Sequence, residues 1–269
     1  MVESACPICG KTFRSIPRRA DMRPGLRMPG VISLQYSAEG HELCLDELDR
    51  LAAEKRAEED RRAAEEEEAY RKAQEEEKSR RRRESSGIPA ELLERRTFLT
   101  FLPDKHSQRA FDALRSWEMG PGYLIHGPPG TGKTHLLISL AGQLLQRGTA
   151  VRFENLNRLL GTLRSLVSQN EHLRFEQDVC RLETVPALLL DDLGAEKLTE
   201  WAEAVLERIL SVRYDLERPT FFSSNLTESG LAAVFSARTA SRIAGLVREA
   251  IVVSGVDKRK PTTGRSPTR

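Results

Sequence analysis

The chain has 269 residues and a net charge of +2, with 30% charged and 39% hydrophobic residues. That length is enough for one large core and additional modules. All apolar runs are shorter than the roughly 18 residues that a membrane-spanning helix needs, and the N-terminus lacks the apolar core of a secretory signal. With only four cysteines, the chain fits a reducing cytoplasm better than a disulfide framework, so we expect a cytoplasmic protein without a membrane partner.

Residues 1–45 contain two metal-ligand pairs, each with two residues between its members. The first pair is Cys6 and Cys9, and the second is His41 and Cys44. Three thiolates and one imidazole can complete a tetrahedral Zn²⁺ site, and a segment this short needs a metal to supply its folding free energy. The spacing therefore predicts a zinc-binding N-terminal domain. Unliganded cysteines and a redox Cys-x-x-Cys pair are the alternatives.

Residues 46–86 consist almost entirely of Glu, Arg, Lys and Ala. Acidic residues repeatedly precede basic ones by four positions, a spacing that stabilises a helix by a few tenths of a kcal/mol per pair. The leucines stop at Leu51 and no heptad pattern follows, which argues against a coiled coil. We expect a solvated helical linker of up to about 60 Å. The basic block 80–83 reads as the end of this spacer, with a nucleic-acid contact as the alternative.

Residues 87–254 alternate between apolar strand patterns and helical patterns. Helices are predicted at 108–117, 134–145 and 156–167, and strands at 123–126, 150–154, 185–190, 220–224 and 250–253. Strands that alternate with helices predict an α/β fold with a parallel sheet. A ligand of such a fold binds at the carboxyl ends of the strands.

The first of these strands leads into a glycine-rich loop, Gly127-Pro128-Pro129-Gly130-Thr131-Gly132-Lys133-Thr134. The loop matches the pattern Gly-x-x-x-x-Gly-Lys-Ser/Thr, in which glycines let consecutive N–H groups surround phosphate oxygens. Lys133 places a charge on the β- and γ-phosphates, and the Thr134 hydroxyl can bind Mg²⁺. The following helix presents its positive N-terminus to the same phosphates. These eight residues predict a nucleoside triphosphate site, with a plain Gly/Pro turn as the alternative.

Two aspartates follow the apolar run 185–190. Asp191 is predicted to hold Mg²⁺, directly or through water, and Asp192 to orient or deprotonate the attacking water. The alternative is a pair of acidic residues at an ordinary turn. The next strand, 220–224, is followed by Asn225, which we predict to hydrogen-bond the γ-phosphate or the water. A lone Asn after a strand is also a common turn residue, so this role depends on the order of the three motifs.

The tail, residues 255–269, carries five basic residues among Pro, Thr and Gly. This composition predicts a disordered basic tail. Such a tail can add salt-sensitive contacts to phosphates or acidic partners.

The motifs occur in an order that resembles the AAA+ ATPases of the DnaC/IstB group. The order is GPPGTGKTHL at 127–136, LLLDDLG at 188–194, SSNL at 223–226 and Ser-Arg-Ile at 241–243. This group comprises bacterial replicative-helicase loaders and the helper ATPases of insertion-sequence transposition. The likeness begins near residue 88 and ends near residue 260, so it covers roughly two-thirds of the chain.

The resemblance implies further residue roles. It adds His135, directly after the loop threonine, to the nucleotide-binding residues. It also implies that Arg242 reaches the γ-phosphate held by a neighbouring subunit, so that the ATPase domain self-associates. Arg238 is the second choice for this role, and a solvated helix arginine is the alternative. Many AAA+ proteins have Glu at the position of Asp192, and the shorter side chain predicts slow hydrolysis, stimulated by assembly or DNA.

Two further expectations follow from the resemblance. Some bacterial helicase loaders carry an N-terminal zinc-binding domain, which supports the predicted Zn²⁺ site. In this group the region between the second strand and the acidic strand helps to bind single-stranded DNA, with a solvated helix face as the alternative. The arginines of that region are Arg158, Arg164, Arg174 and Arg181.

Three function classes fit these predictions. The leading one is an ATP-dependent loader that places a replicative DNA helicase on single-stranded DNA. The second is a transposition helper ATPase that binds DNA and recruits a transposase, and the third is a nucleotide switch without a nucleic-acid role. The zinc-like head and the long linker favour the loader, because together they look like a tethered protein-binding module.

Overall fold

The computed structural model describes residues 2–5, 12–15, 42–195, 197–255 and 257–258. The side chains of residues 2–5, 12–15, 42–49 and 51 lie outside that description. The chain divides into two compact units, residues 1–74 and 75–269. Within the described ranges, no helix is both long and apolar enough to cross a membrane.

The first unit begins with a small antiparallel sheet. Strand β1 (Val2–Ala5) pairs with β2 (Thr12–Ser15), and Ala5 lies opposite Thr12. The Cys6-x-x-Cys9 pair falls in the connection between these strands, which is not among the described residues.

A long charged helix, α1 (Glu42–Glu84), follows. Its surface carries exposed ion pairs at four-residue spacing, such as Glu58 with Arg62 at 2.6 Å and Glu68 with Lys72 at 2.7 Å. Exposed pairs of this kind contribute little individually, and their sum supports the helix. The predicted helix over 46–86 is confirmed, with a start four residues earlier and an end two residues earlier.

The second unit is built on a five-stranded parallel sheet with the order β4-β5-β6-β3-β7. Its strands are β3 (Gly122–His126), β4 (Val151–Asn155), β5 (Ala187–Leu193), β6 (Thr220–Ser224) and β7 (Val247–Val252). The predicted α/β class with a parallel sheet is confirmed. The prediction for β5 was wrong at both ends, because the strand starts at Ala187 and continues through both aspartates to Leu193.

Helices cover both faces of this sheet. They are α2 (Ala90–Arg95), α3 (Gln108–Arg115), α4 (Lys133–Gln146), α5 (Leu156–Ser168), α6 (His172–Thr184), α7 (Glu200–Asp215), α8 (Glu228–Val234) and α9 (Ala237–Leu246). Leu189 of β5 packs into the core with α3 and α4, whereas Leu188 and Leu190 pack into the core with α5, α7 and α9. A strand buried on both faces reads as a continuous apolar run, which is why 185–190 shows no alternation.

The edge strand β4 is covered by the turn that follows α1. The backbone N–H of Phe153 donates to Ser86 O at 2.8 Å, and Arg152 Nη1 donates to Ser85 O at 3.0 Å. Ser86 is fully buried. The first bond satisfies one backbone donor on the open edge of the sheet, two residues before Asn155.

Candidate nucleotide-binding and catalytic site

The glycine-rich loop joins the buried strand β3 to the N-terminus of α4. Gly130 and Gly132 have φ angles of 82° and 96°, in the left-handed region that residues with a Cβ rarely adopt. The Thr131 hydroxyl donates to Pro128 O at 2.9 Å and closes the turn. A loop with left-handed glycines that leads into a helix N-terminus is the local arrangement that an anion site requires.

Lys133 is buried, with 5% of its surface exposed. Its Nζ donates to Gly127 O at 2.7 Å and to Pro128 O at 2.8 Å. The ammonium group thus lies against the loop itself, at the position from which it can exchange these carbonyls for phosphate oxygens.

The buried carboxylate of Asp191 is the centre of the second half of the site, and 4% of the residue is exposed. The Thr134 hydroxyl donates to its two oxygens at 2.9 and 3.1 Å, and the Ser223 hydroxyl donates to Oδ1. Burial raises the pKa of Asp191 above its usual value, and the nearby charge of Asp192 adds to this, while the hydroxyl bonds act in the opposite direction. A hydroxyl and a carboxylate in contact form a donor set that fits Mg²⁺.

Asp192 lies next to this carboxylate but points differently. The pairing of β5 with β6 shifts register between Leu190 and Leu193, and Asp192 has a φ of 63°. A bulge of this kind redirects a side chain at the end of a strand. Asn155 Nδ2 donates to Asp192 Oδ2 at 3.0 Å, and the Asp192 N–H donates to Ser223 Oγ at 3.1 Å. Asp192 is half-buried, so one carboxylate is oriented by Asn155 while still reachable by water.

Asn155 and Ser223 are candidate site residues that the sequence reasoning missed. Asn155 ends the edge strand and also caps α5, since its side chain accepts from the Arg158 N–H at 3.3 Å. Ser223 is fully buried on β6 and contacts both aspartates. The available signal was positional: each polar side chain occurs at the carboxyl end of a parallel strand, where site residues of such sheets collect.

The other two residues predicted to contact the nucleotide, Asn225 and His135, lie in different surroundings. Asn225 is exposed directly after β6, at the same edge of the sheet. The His135 ring instead contacts the segment before α3: Nε2 lies 3.1 Å from Thr97 O, and the ring lies edge-on to Phe101 at 5.2 Å. Burial lowers the pKa of His135, so the ring is neutral at neutral pH. These contacts of His135 join α4 to the segment before α3.

The two candidate trans-acting arginines lie on α9. The guanidinium of Arg242 stacks over the Tyr214 ring at 4.6 Å, and Arg242 is half-buried. Arg238 is exposed and forms an ion pair with Glu207 at 2.8 Å. The two arginines therefore differ in their contacts. Arg242 stacks on an aromatic ring, whereas Arg238 forms an ion pair with a carboxylate.

The four arginines between β4 and β5 are all exposed: Arg158, Arg164, Arg174 and Arg181. Arg174 pairs with Glu171 and Arg181 with Asp178, each at 3.1 Å. Because these ion pairs are exposed, an arginine can leave its carboxylate for another anion at little cost in free energy.

The predicted zinc ligands are outside the described side chains: Cys6, Cys9, His41 and Cys44. Among the residues that are described, no group of three or more His, Cys, Asp or Glu side chains is arranged to hold a metal ion. The predicted basic tail, residues 255–269, is also outside the description apart from Gly255, Asp257 and Lys258.

The chain is similar in sequence and in fold to several known proteins. The family model described as IstB-like ATP binding protein matches residues 38–248. Over 133 residues, 48% of the chain, the sequence is 30% identical to the replicative helicase loader DnaI of Bacillus subtilis. Over 118 residues, 43% of the chain, it is 32% identical to the insertion sequence IS21 ATP-binding protein of Pseudomonas aeruginosa. These matches span less than half of each relative, 42% of the first and 43% of the second.

A crystal structure of DnaI is similar to this one, with a TM-score of 0.53 and 29% sequence identity. The similarity covers 64% of this chain and 94% of the DnaI chain in that crystal structure.

Proposed function

Because the chain belongs to the IstB-like ATP-binding proteins, in the DnaC/IstB group of AAA+ ATPases, we propose that it is an ATP-hydrolysing helicase loader. The observation that carries the hydrolytic part is the pair of aspartates at the end of β5. One is bonded to the loop threonine and the other is oriented by Asn155. A buried ligand for a metal and a reachable carboxylate for water, side by side, are what hydrolysis of a bound phosphate chain requires.

Each side chain then has a distinct task. Lys133 binds the β- and γ-phosphates, and Thr134 with Asp191 would hold Mg²⁺. When bound, the ion neutralises charge on the phosphate oxygens. Asp192 accepts a proton from the attacking water or fixes its orientation. Asn225, exposed at the same edge, is proposed to hydrogen-bond the γ-phosphate or that water.

Arg242 completes the proposed site in a neighbouring subunit. Its guanidinium stacks on the Tyr214 ring, and the N–H donors at the edge of a stacked guanidinium can still bind a phosphate oxygen. A single chain would then have an incomplete catalytic centre, which accounts for slow hydrolysis that rises on assembly.

The proposed partners are a replicative DNA helicase and single-stranded DNA. The similarity to DnaI supports the first, and the exposed arginines of α5 and α6 support the second. A transposition helper that recruits a transposase is the second candidate, favoured by the 32% identity to the IS21 ATP-binding protein.

A capture experiment separates these functions. The full chain is immobilised with ATP, with ADP or as Lys133→Ala, and incubated with a purified hexameric replicative helicase or with a transposase. Loading predicts ATP-dependent capture of the helicase and its transfer to single-stranded DNA. Capture of the transposase alone would favour the second candidate, and capture of neither would leave a nucleotide switch.

We also propose that the N-terminal region binds one Zn²⁺ through Cys6, Cys9, His41 and Cys44. The antiparallel pairing of β1 with β2 keeps the connection that contains Cys6 and Cys9 short, which favours joint coordination. Metal analysis should find zinc that is lost in the double variant Cys6→Ser, Cys9→Ser, with ATP binding retained. The control Cys180→Ser, which changes an exposed cysteine of the second unit, should retain zinc. A metal-free full chain would contradict the site.

A further inference from the structure

The carboxyl end of α7 is firmly anchored in the second unit. The fully buried Arg213 donates from its guanidinium to Pro219 O at 2.7 Å. The helix ends with the Arg218 N–H donating to Arg213 O at 2.8 Å and the Glu217 N–H donating to Tyr214 O at 3.1 Å. Glu217 has a φ of 51°, as the left-handed residue of such a helix end requires. The backbone of Tyr214 is therefore fixed in the last turn of α7.

The ring of Tyr214 lies against α9. A Cβ added at Gly245 would lie 2.5 Å from Tyr214 Cε2 and 3.1 Å from Cδ2. Arg242 lies one turn earlier on α9, so it shares a helix face with Gly245. The central carbon of its guanidinium is 4.6 Å from the centre of the Tyr214 ring. The missing side chain of Gly245 therefore makes room for the ring at the position where it contacts Arg242.

The Tyr214 ring is the partner that orients Arg242. In the part of the chain that the structure describes, no hydrogen bond or ion pair involves the Arg242 side chain. An arginine on a helix surface has many rotamers, and contact with an aromatic face restricts them. The contact uses the flat face of the guanidinium, so its edge donors stay open. Because 43% of Tyr214 is exposed, this contact lies at the surface of the unit.

We propose that Tyr214 is a positioning residue for hydrolysis in a neighbouring subunit, where it acts by orienting Arg242. This inference rests on the proposed action of Arg242 in trans. An arginine that is oriented beforehand loses less conformational entropy when it binds the transferring phosphoryl group, so hydrolysis in the neighbour is faster. Tyr214 acts through Arg242 on the neighbour's ATP, so ATP affinity does not depend on it.

Tyr214→Leu tests the aromatic face, because it keeps an apolar side chain and removes the ring. Turnover of the assembled full-length chain should fall roughly fivefold to thirtyfold, the effect of one cation–π contact. ATP affinity should stay unchanged. Tyr214→Phe keeps the aromatic face and should restore turnover. Turnover of assembled Tyr214→Leu at the unmutated rate would overturn the proposal.

Gly245→Ala displaces the ring without changing Tyr214 or Arg242. Alanine favours a helix more than glycine does, so the Tm should not fall, whereas turnover of the assembled chain should fall. The matched control is Gly161→Ala on α5, where an added Cβ meets nothing within 4 Å, and it should keep turnover. Equal turnover in Gly245→Ala and Gly161→Ala would also overturn the proposal.

Mixed assemblies distinguish positioning from general damage to the fold. In the reference mixture, Lys133→Ala donates Arg242 to the intact loop of Arg242→Ala. Adding Tyr214→Leu to the donor chain should remove most of the recovered turnover, and adding it to the Arg242→Ala chain should leave the recovery intact. If the reference mixture itself shows no recovery, Arg242 does not act in trans, and the proposed function fails separately. With recovery in the reference mixture, an equal loss in both arrangements would overturn the role of Tyr214.

Discussion

The two halves of the site are built in different ways. The phosphate half is one continuous stretch, residues 127–134, and its shape comes from backbone angles that glycine permits. The metal-and-water half is assembled from side chains of three neighbouring strands: Asn155 of β4, Asp191 and Asp192 of β5, and Ser223 of β6. The first half depends on local sequence, and the second depends on strand order and register.

This difference predicts how substitutions in each half affect the protein. A phosphate site made of backbone N–H groups depends on a single side chain, Lys133, for its positive charge. A site made of side chains depends on each bond between them, and each bond can be tested separately. We therefore expect damage to the phosphate half to affect binding, and damage to the other half to affect turnover.

The largest effect is expected from Lys133→Ala. Loss of a charged hydrogen-bond donor to phosphate should weaken ATP binding about tenfold to hundredfold and abolish turnover. Binding of a fluorescent ATP analogue and phosphate release measure the two quantities. The control Lys78→Ala, which removes an exposed lysine of α1, should change neither ATP binding nor turnover. ATP binding at the unmutated affinity in Lys133→Ala would contradict the assignment of the phosphate half.

The next effect is expected from Arg242→Ala, which removes the group proposed to act across subunits. Turnover in the assembled state should fall by about 10³-fold, while ATP affinity stays unchanged. Turnover of the unmutated chain per subunit should rise with protein concentration, and this variant should lose the rise. Arg238→Ala, one turn earlier on α9 and paired with Glu207, is the matched control and should keep it.

Mixing shows whether Arg242 acts in trans. In a mixture of Arg242→Ala with Lys133→Ala, the second chain supplies Arg242 to the intact loop of the first, so activity should partly return. Assembly of the mixture is verified by sedimentation. Absence of recovery at every mixing ratio would exclude action across subunits.

A smaller effect is expected from Asn155→Asp. Asp can still cap α5, so helix stability should be kept, but the donor to Asp192 is lost and replaced by a like charge. Turnover should fall about tenfold, the equivalent of one hydrogen bond, with ATP affinity unchanged. Asn157→Asp, two residues later on α5, serves as the control. If kcat of Asn155→Asp equals that of the control, Asn155 does not orient Asp192.

The smallest effect concerns stability. Because the folded-state pKa of Asp191 is raised by burial, its ionisation opposes folding of the nucleotide-free protein. Its contribution to the free energy of unfolding is present at acidic pH and is lost as the pH rises through the folded-state pKa. Asp191→Asn should therefore raise the Tm of the nucleotide-free protein at neutral pH, and the gain should shrink as the pH falls. A lower Tm at neutral pH would contradict this. Mg²⁺-dependent stabilisation by ATP should be lost in the same variant.

The sequence predicted those parts that depend on local pattern. The loop, β3, β6 and the charged helix α1 carry their own signals: fixed glycine positions, apolar runs and acid–base spacing. The sheet was predicted because its strands alternate with helices. Helices α6 to α9 were not predicted individually, since their apolar positions become readable only once the face that packs on the sheet is known.

The parts that escaped prediction depend on tertiary contacts. Asn155 could not be paired with Asp192 before the β4–β5 register was known. Arg213 is an ordinary helix residue in the sequence, yet it is fully buried and donates to carbonyls of Leu182, Val185 and Pro219. Burial lowers the pKa of Arg213 to about 9, so it remains a cation at neutral pH. Nothing local to its sequence distinguishes it from exposed arginines such as Arg164.

In the proposed hydrolytic site, the two halves act together and Asp192 acts on the attacking water. Asp192→Asn tests this most directly, since it keeps the shape of the side chain and removes the charge that accepts a proton. ATP binding and phosphate release are measured on the same full-length preparation, with and without single-stranded DNA. We predict unchanged ATP affinity and turnover lower by about 10²-fold to 10⁴-fold. Phosphate release at the unmutated rate would contradict the account.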